Sequence, residues 1–281
     1  MMKVGYLGPE GTFSEEASTL YEKKIGSADF MSYSTFHDIL IDVDKGNIDE
    51  GIVPIENSVE GTIGIVTDML VNDVNLKIRQ EIVVPVKHYL LAKDKVNLNQ
   101  ITEVISHPQA IDQCKLYLRK HLPKAKIHFA YSTSEAAKQV ASTMTLSSKD
   151  VPAAISTKAS AKLYKLEIIA EGINDYKDNC TRFVVLAKKG HDKTGKDKTS
   201  IVFSILKDRP GGLYDILGEF AQRHINLTKI ESRPTKMTLG EYYFFIDIQG
   251  HGTDKIVSDA LDKIKKKASF FKILGSYPQA S

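Results

Sequence analysis

The sequence of 281 residues contains no tryptophan and only two cysteines, Cys114 and Cys180. The cysteines lie far apart and form no CxxC pair, and no HExxH motif occurs, so no common zinc pattern is present. The N-terminus also lacks the apolar stretch and cleavage site of a secretory signal. We therefore expect a cytoplasmic protein with reduced thiols, and no metal or cofactor.

Long apolar runs and a strong excess of charge are also missing. No segment approaches the run of about 18 apolar residues that a membrane-spanning helix needs, so we expect no membrane association. The formal net charge is only +3, and no basic recognition helix is apparent. These features argue against a nucleic-acid partner, whereas a small anionic ligand remains compatible with them.

Several catalytic signatures are absent as well. Neither GxxxxGKS/T nor GxGxxG occurs, which argues against a nucleotide site, and no GxSxG elbow indicates a hydrolase. Cys180 could be a nucleophile with His107 as its base, but nothing in the sequence brings the two together. A packed thiol is the favoured interpretation of Cys180.

Strand-like and helical segments alternate through residues 1–188. Residues 4–7, 51–55 and 181–186 are typical of buried strands, and amphipathic helical patterns separate most of the predicted strands. This alternation predicts α/β layers around mostly parallel sheets.

The remainder divides into a linker and a small domain. Residues 189–198 carry no large apolar side chain and are interpreted as the linker. Residues 199–281 follow the order strand, helix, strand, strand, helix, strand, with an apolar helical face that includes Leu213 and Phe220. The order predicts a ferredoxin-like βαββαβ domain.

Four polar clusters follow predicted strands: GPEGTFS at residues 8–14, PIENSVEGT at 54–62, SHPQ at 106–109 with Gln113, and TRF at 181–183. Ligands of open α/β sheets bind beyond strand ends, so these clusters can converge on one crevice. Helix N-termini favour anions, and Arg182 can grip a carboxylate with two hydrogen bonds. The clusters therefore predict a site for a small carboxylate, although each alone could be an ordinary turn or cap.

Taken in order, these four motifs resemble the successive signatures of prephenate dehydratases. The segments RPGGL at residues 209–213 and IESRP at residues 230–234 resemble the ACT regulatory domain attached to those enzymes. The resemblance covers nearly the whole chain. It implies a catalytic region, residues 1–188, of two α/β lobes similar to periplasmic binding proteins, with the second lobe at about residues 77–172 and the Thr181 strand returning to the first.

The resemblance also implies roles for individual residues. Thr181 is the residue on which dehydratase activity depends, and its hydroxyl is expected to hydrogen-bond the departing oxygen. The expected substrate contacts are Asn57, Gln113, Arg182, Phe183, Ser106, Thr12, Ser58 and Thr62. Arg182 and helix N-termini are expected to hold the carboxylates of prephenate.

The same resemblance implies regulation by L-phenylalanine and a homodimer or homotetramer joined through the ACT domains. The expected effector contacts are Gly212, Leu213, Asn226, Leu227, Glu231 and Ser232. The motif departs from the family at Gly212, where alanine is usual. The missing methyl group leaves the strength and selectivity of effector binding open.

Three other functions fit parts of this pattern. A two-lobed fold can belong to a protein that only binds a solute or senses a ligand. A related dehydratase can act on arogenate, which carries an amino acid side chain in place of the keto acid. The third alternative, a DNA-linked amino acid sensor, lacks support from any recognition helix.

Overall fold

The computed structural model describes residues 1–143, 151–205, 209–238 and 240–280, which form two lobes and a C-terminal domain. The first lobe contains β1 (Lys3–Leu7), α1 (Phe13–Ile25), β2 (Asp29–Tyr33), α2 (Phe36–Lys45), β3 (Glu50–Asn57), β4 (Gly61–Thr62), α3 (Gly64–Asn72), β5 (Lys77–Pro85) and, much later in the chain, β11 (Cys180–Ala187). The sheet order is β2-β1-β3-β11-β5, with β4 beside β3. The first three strands are parallel, and β11 runs antiparallel between β3 and β5.

The second lobe contains β6 (Tyr89–Ala92), a 3₁₀ turn (Leu98–Gln100), β7 (Glu103–Ser106), α4 (Pro108–Gln113), α5 (Lys115–His121), β8 (Lys126–Phe129), α6 (Thr133–Ser142), β9 (Pro152–Ser156), α7 (Lys158–Tyr164) and β10 (Glu167–Glu171). Its sheet has the order β10-β6-β9-β7-β8. Apolar clusters cover this sheet, and the largest cluster in the first lobe also contains residues of the C-terminal domain.

The prediction that the second lobe begins at residue 77 is wrong. Strand β5 pairs with β11 over its whole length, from Lys77 opposite Ala187 to Pro85 opposite Cys180, so it belongs to the first sheet. A run of β-branched residues is typical of a strand buried in either lobe, so it does not identify the lobe. The partner of β5 lies about 100 residues further along the chain. The return of the Thr181 strand to the first lobe occurs as expected.

The C-terminal domain confirms the predicted βαββαβ order. It comprises β12 (Asp197–Ile205), α8 (Gly212–Ala221), β13 (Leu227–Pro234), β14 (Tyr242–Gln249), α9 (Lys255–Lys267) and β15 (Ala268–Pro278), with the antiparallel sheet order β13-β14-β12-β15. The two helices pack on one face of the sheet, as their apolar stripes require. No helix in the described residues is long and apolar enough to cross a membrane.

The linker is shorter than predicted, because Asp197 and Lys198 already belong to β12. The Asp197 carboxylate accepts hydrogen bonds from the backbone amides of Thr194 and Gly195, and the Lys198 ammonium lies 2.8 Å from Glu81. Both residues are polar but make specific contacts. Because both residues are polar, they were assigned to the linker, although they form the start of β12.

The C-terminal domain sits on the opposite face of the first sheet from α1. Strand β15 passes so close to β5 that a Cβ atom at Gly275 would lie 2.1 Å from the carbonyl oxygen of Ile78. Nearby, Lys272 Nζ donates to the carbonyl oxygens of Leu70 and Val74 at the end of α3, at 2.7 and 2.8 Å. The ammonium group thereby stabilises the carbonyl end of the helix.

The lobes touch through the loop before α1. The carbonyl oxygen of Gly11 accepts hydrogen bonds from Thr157 Oγ1 at 2.6 Å and Ser160 Oγ at 2.9 Å, at the start of α7. Gly11 has a φ of +82°, a conformation that favours glycine. These contacts close the cleft between the lobes on one side.

Candidate active site

A cavity of about 110 Å³ lies where the two lobes meet. It is lined by Phe13, Asn57, Val86, His88, His107, Gln109, Ala110, Gln113, Thr133 and Thr181. The structure thus brings Asn57, Gln113 and Thr181, which are far apart in sequence, to one cavity.

Thr181 and Asn57 are paired across two neighbouring strands. They are opposite residues of β11 and β3, and Asn57 Nδ2 lies 2.9 Å from Thr181 Oγ1. The orientation of the Asn57 amide is fixed, because its Oδ1 accepts hydrogen bonds from the backbone amides of Val59 and Glu60, both at 3.0 Å. Thr181 Oγ1 therefore accepts a hydrogen from Asn57, and its own hydrogen is left for another acceptor.

Gln113 connects this strand pair to the second lobe. Its Oε1 accepts a hydrogen bond from Asn179 Nδ2 at 3.0 Å, and its Nε2 donates to Glu60 Oε1 at 3.2 Å. Asn179 in turn accepts a hydrogen bond from Asn57 Nδ2 at 2.9 Å. Gln113, Asn179 and Asn57 are all buried, so this chain of amides holds the end of α4 against the strands that carry Thr181.

His88 is a buried residue of the same network. Its Nε2 lies 2.9 Å from Gln113 Oε1, and its ring packs edge-on against Phe13. Burial lowers the pKa of His88, and the hydrogen bond to Gln113 opposes this shift only in part. The neutral imidazole is therefore the form favoured in the free protein.

Arg182 does not line the cavity, contrary to the prediction that it grips a substrate carboxylate. Successive side chains of a strand point to opposite faces, so Arg182 points away from Thr181. Its Nη1 lies 2.7 Å from Asp247 and 3.3 Å from Glu81, and its Nε lies 3.3 Å from Glu56. Although burial opposes the charge, these carboxylates raise the pKa of Arg182, which joins the first lobe to the C-terminal domain.

Phe183 and Ser106 are also outside the cavity lining. Phe183 is buried in the core between the first sheet and α1. Ser106 is fully buried, and its hydroxyl donates to the carbonyl oxygen of Ile155 at 2.7 Å, so it joins β7 to β9. Their positions support the site but give them no contact with a ligand in this cavity.

Three further predicted contacts lie in loops around the site. Thr12 is the N-cap of α1, with its hydroxyl donating to the Pro9 carbonyl oxygen at 2.9 Å. Ser58 binds the backbone amide of Cys180 at 3.0 Å and so fixes the start of β11. Thr62 faces the C-terminal domain, where it hydrogen-bonds Glu231 and Lys229. None of the three lines the cavity.

The predicted effector residues are distributed over separate parts of the C-terminal domain. Gly212 and Leu213 begin α8, whereas Asn226 and Leu227 follow its other end. Asn226 borders a second cavity of about 460 Å³. Glu231 contacts the first lobe, and the neighbouring Ser232 is exposed.

Sequence reasoning missed His88 and Asn179 and did not assign His107 a binding role. A polar His88 inside the apolar segment of residues 82–92 was a usable signal, and so was Asn179 directly before the TRF motif. His107 does line the cavity but Cys180 does not, so the suggested Cys-His pair gains no support. Within the described residues, no group of three or more His, Cys, Asp or Glu side chains could hold a metal ion.

Comparison with known proteins identifies the family to which this chain belongs. A family model described as prephenate dehydratase matches residues 4–191, and one described as ACT domain matches residues 199–266. The chain belongs to the prephenate dehydratase family. Members of this family are carbon–oxygen lyases, and the chain is accordingly an enzyme with a C-terminal ACT domain.

Individual relatives agree with this assignment over nearly the full length. A prephenate dehydratase of Methanocaldococcus jannaschii is 40% identical over 97% of both chains. A bifunctional chorismate mutase/prephenate dehydratase of Aquifex aeolicus is 40% identical over 99% of this chain and 74% of that protein. The crystal structure of a prephenate dehydratase from Arthrobacter aurescens in complex with L-Phe has a TM-score of 0.86 and 35% identity, covering 99% of this chain and 90% of that one.

Proposed function

We propose that this protein converts prephenate to phenylpyruvate, carbon dioxide and water in the biosynthesis of L-phenylalanine, and that L-phenylalanine regulates it through the ACT domain. The observation that carries the proposal is the hydrogen bond from Asn57 to Thr181. It leaves the Thr181 hydroxyl hydrogen available inside a cavity that Gln113 also lines.

Prephenate suits a cavity that offers hydrogen-bond donors. The substrate carries two carboxylates, a ketone and one ring hydroxyl. The Thr133 hydroxyl at the start of α6 and the side-chain amide of Gln109 can donate to carboxylate oxygens in place of Arg182. The Thr181 hydroxyl can donate to the departing oxygen, where negative charge develops, and a preorganised donor of this kind contributes about 10²–10³ in rate.

The reaction needs orientation more than chemical activation. As the ring carboxylate and the hydroxyl leave, the ring becomes aromatic, which makes the conversion strongly favourable. The fixed amide chain from Asn57 to Gln113 holds the Thr181 hydroxyl in place before the substrate arrives, so little reorganisation is required.

The proposed effector site requires two chains. The start of α8, with Gly212 and Leu213, is separated from Asn226 by a helix of 10 residues, which spans about 15 Å. The amino and carboxylate groups of one amino acid share a carbon atom and cannot contact both ends within one chain. We therefore assign Gly212 and Leu213 of one chain and Asn226 and Leu227 of a second chain to one site, within a homodimer or homotetramer.

The catalytic proposal is tested by adding the purified protein to prephenate and following phenylpyruvate, with arogenate assayed in parallel. Turnover of prephenate with little turnover of arogenate is the expected result. A protein that binds prephenate without turnover would be a ligand-binding protein instead. A strong preference for arogenate would replace the proposed substrate.

The effector proposal is tested with full-length variants. Leu213→Ala and Asn226→Ala should each weaken inhibition by L-phenylalanine while leaving the uninhibited rate nearly unchanged. A mixture of the two variants, refolded together, contains heterodimers with one intact site and should recover part of the inhibition. If the mixture is no more sensitive than either variant, the two ends of α8 do not form a shared site.

A further inference from the structure

His88 has a hydrogen-bonding state that the surrounding amides determine. The two backbone amides that donate to Asn57 Oδ1 place the Asn57 nitrogen next to Asn179 Oδ1. The nitrogen of Asn179 therefore faces Gln113 Oε1, and the Gln113 nitrogen faces Glu60. Each amide in the chain thus has one orientation.

This orientation fixes the imidazole tautomer. Gln113 Oε1 is an acceptor, so His88 Nε2, which lies 2.9 Å away, must carry a hydrogen. In the neutral ring, Nδ1 then carries a lone pair and no hydrogen. His88 Nδ1 is buried and has no hydrogen-bond partner among the residues that the structure describes.

Such an atom needs an explanation, because buried polar atoms are nearly always paired. His88 is only 2% exposed and lines the same cavity as Thr181. A ligand that fills the cavity can supply the missing partner.

The proposed reaction consumes one proton, since the ring hydroxyl must leave as water. Thr181 is a poor acid near neutral pH, and the titratable side chains that line the cavity are His88 and His107. His107 is the N-cap of α4, and its Nδ1 accepts a hydrogen bond from the backbone amide of Gln109, 3.3 Å away. His107 Nδ1 therefore already has a hydrogen-bond partner. His88 Nδ1 has none among the described residues.

We propose that His88 Nδ1 takes up a proton as the substrate dianion binds and delivers it to the hydroxyl oxygen that leaves the ring. In this step the Nδ1–H bond breaks and an O–H bond forms. The ring carbon–oxygen bond breaks with its electron pair going to oxygen, while the pair of the carbon–carboxylate bond completes the aromatic ring. Water, carbon dioxide, phenylpyruvate and neutral imidazole result. The inference deepens the proposed function and rests on it.

The surroundings of His88 are consistent with a proton that arrives together with the substrate. Burial disfavours imidazolium in the free protein, and two carboxylates of a bound substrate would favour it. Other titratable groups reach this region from three loops. Glu60 binds Gln113, Asp175 accepts hydrogen bonds from the amides of Leu116 and Tyr117, and His107 shares the cavity wall.

The test compares two substitutions of His88 that distinguish the hydrogen bond made by Nε2 from the proton transfer proposed for Nδ1. In His88→Gln, the amide nitrogen can replace Nε2 and keep the hydrogen bond to Gln113, but no titratable group remains. We expect kcat to fall by about 10²-fold or more and the loss of activity at high pH to disappear. His88→Asn should lose the Gln113 contact as well and raise KM in addition.

The wild-type protein provides a second measurement that does not depend on folding of a variant. At saturating prephenate, kcat should be constant at low pH and fall about tenfold per pH unit above one pKa. A flat profile from about pH 5 to pH 9, or a folded His88→Gln protein with kcat within about threefold of wild type, would overturn the role of His88. Absence of any turnover in the wild type would instead sink the proposed function itself.

Discussion

Arg182 Nη1 lies 2.7 Å from Asp247 Oδ2, so the residue that follows Thr181 is bonded directly to the ACT domain. Glu56, which precedes Asn57, completes the same ion cluster and also lies 3.4 Å from Lys229 on β13. Thr181 and Asn57, which are central to the catalytic proposal, are therefore each adjacent in sequence to a residue that contacts the ACT domain. A movement of the ACT domain would therefore act on residues directly next to Thr181 and Asn57.

Replacement of Arg182 should damage stability more than substrate binding. Arg182→Met leaves the carboxylates of Asp247, Glu81 and Glu56 close together without their shared cation, and we expect the free energy of unfolding to fall by about 3–5 kcal/mol. Urea unfolding measures this change. Arg223→Met is a suitable control, because it breaks an ion pair between Glu219 of α8 and the turn that follows this helix, and it should cost about 1 kcal/mol or less. Equal losses in both variants would contradict the buried-cluster interpretation.

Substitutions of Thr181 should separate the hydroxyl from the shape of the side chain. Thr181→Val keeps the size but removes the hydrogen that faces the cavity, so kcat should fall by about 10²–10³. Thr181→Ser keeps the hydroxyl and should retain much more activity. Initial rates with prephenate, measured alongside thermal unfolding, test this prediction. If Thr181→Val is as active as Thr181→Ser, the hydroxyl has no role.

Asn57→Asp should inactivate the protein while Thr181 itself is unchanged. An aspartate oxygen in place of Nδ2 would accept the Thr181 hydrogen, which would no longer point to the substrate, and would also repel Asn179 Oδ1. We expect a fall in kcat comparable to that of Thr181→Val. The double variant Asn57→Asp/Thr181→Val should then be little worse than either single one. Fully multiplicative effects would mean that the two residues act independently.

Gly11→Ala should interfere with contact between the lobes. An added Cβ would lie 2.5 Å from Ser160 Oγ and 2.9 Å from Ser134 Oγ, both in the second lobe. We expect a raised KM and a larger radius of gyration in X-ray scattering. Gly26→Ala is a closely matched control, since Gly26 has a φ of +83° but no atom within 4 Å of the added Cβ. Gly26→Ala should carry its own backbone strain, about 1–3 kcal/mol, because a ψ of −160° with positive φ is almost exclusive to glycine, but it should not change KM.

At alkaline pH, Tyr33 should contribute to loss of stability. Burial and the 2.9 Å hydrogen bond to Asp42 raise the pKa of Tyr33 to about 12. This pKa is higher in the folded state than the ordinary value of about 10. The stability that protonated Tyr33 contributes is therefore fully present below about pH 10 and is lost as pH rises through about 12. Melting temperatures measured across this window should decline less steeply for Tyr33→Phe than for wild type. Parallel curves for the two proteins would contradict the prediction.

Sequence patterns predicted the C-terminal domain well because its contacts follow from periodicity. An apolar stripe that repeats every three or four residues identifies α8 and α9, and their burial follows directly. The position of the polar clusters beyond strand ends predicted that they converge on one crevice for a small carboxylate, without identifying a reaction. Resemblance to a family then added Asn57, Gln113 and Thr181 as individual contacts.

The errors have three physical sources. Arg182 was assigned to the site because a guanidinium can grip a carboxylate and because the TRF motif resembles a family signature, but the side chains of neighbouring strand residues point to opposite faces. Strand β5 was assigned to the wrong lobe because sheet pairing with β11 is non-local, and the sequence of a buried strand does not specify its partner. His88 was missed because its significance depends on the orientation of three amides that lie elsewhere in the chain.

The close contact of Gly275 with the backbone of Ile78 limits which residues position 275 can accept. In a saturation library selected for growth without added phenylalanine, position 275 should return glycine almost alone, although it carries no side chain and is not part of the cavity. Even alanine would force the backbones of β15 and β5 apart. A strictly invariant position in such a library therefore need not mark chemistry, since it can also mark the place where two domains have no room between them.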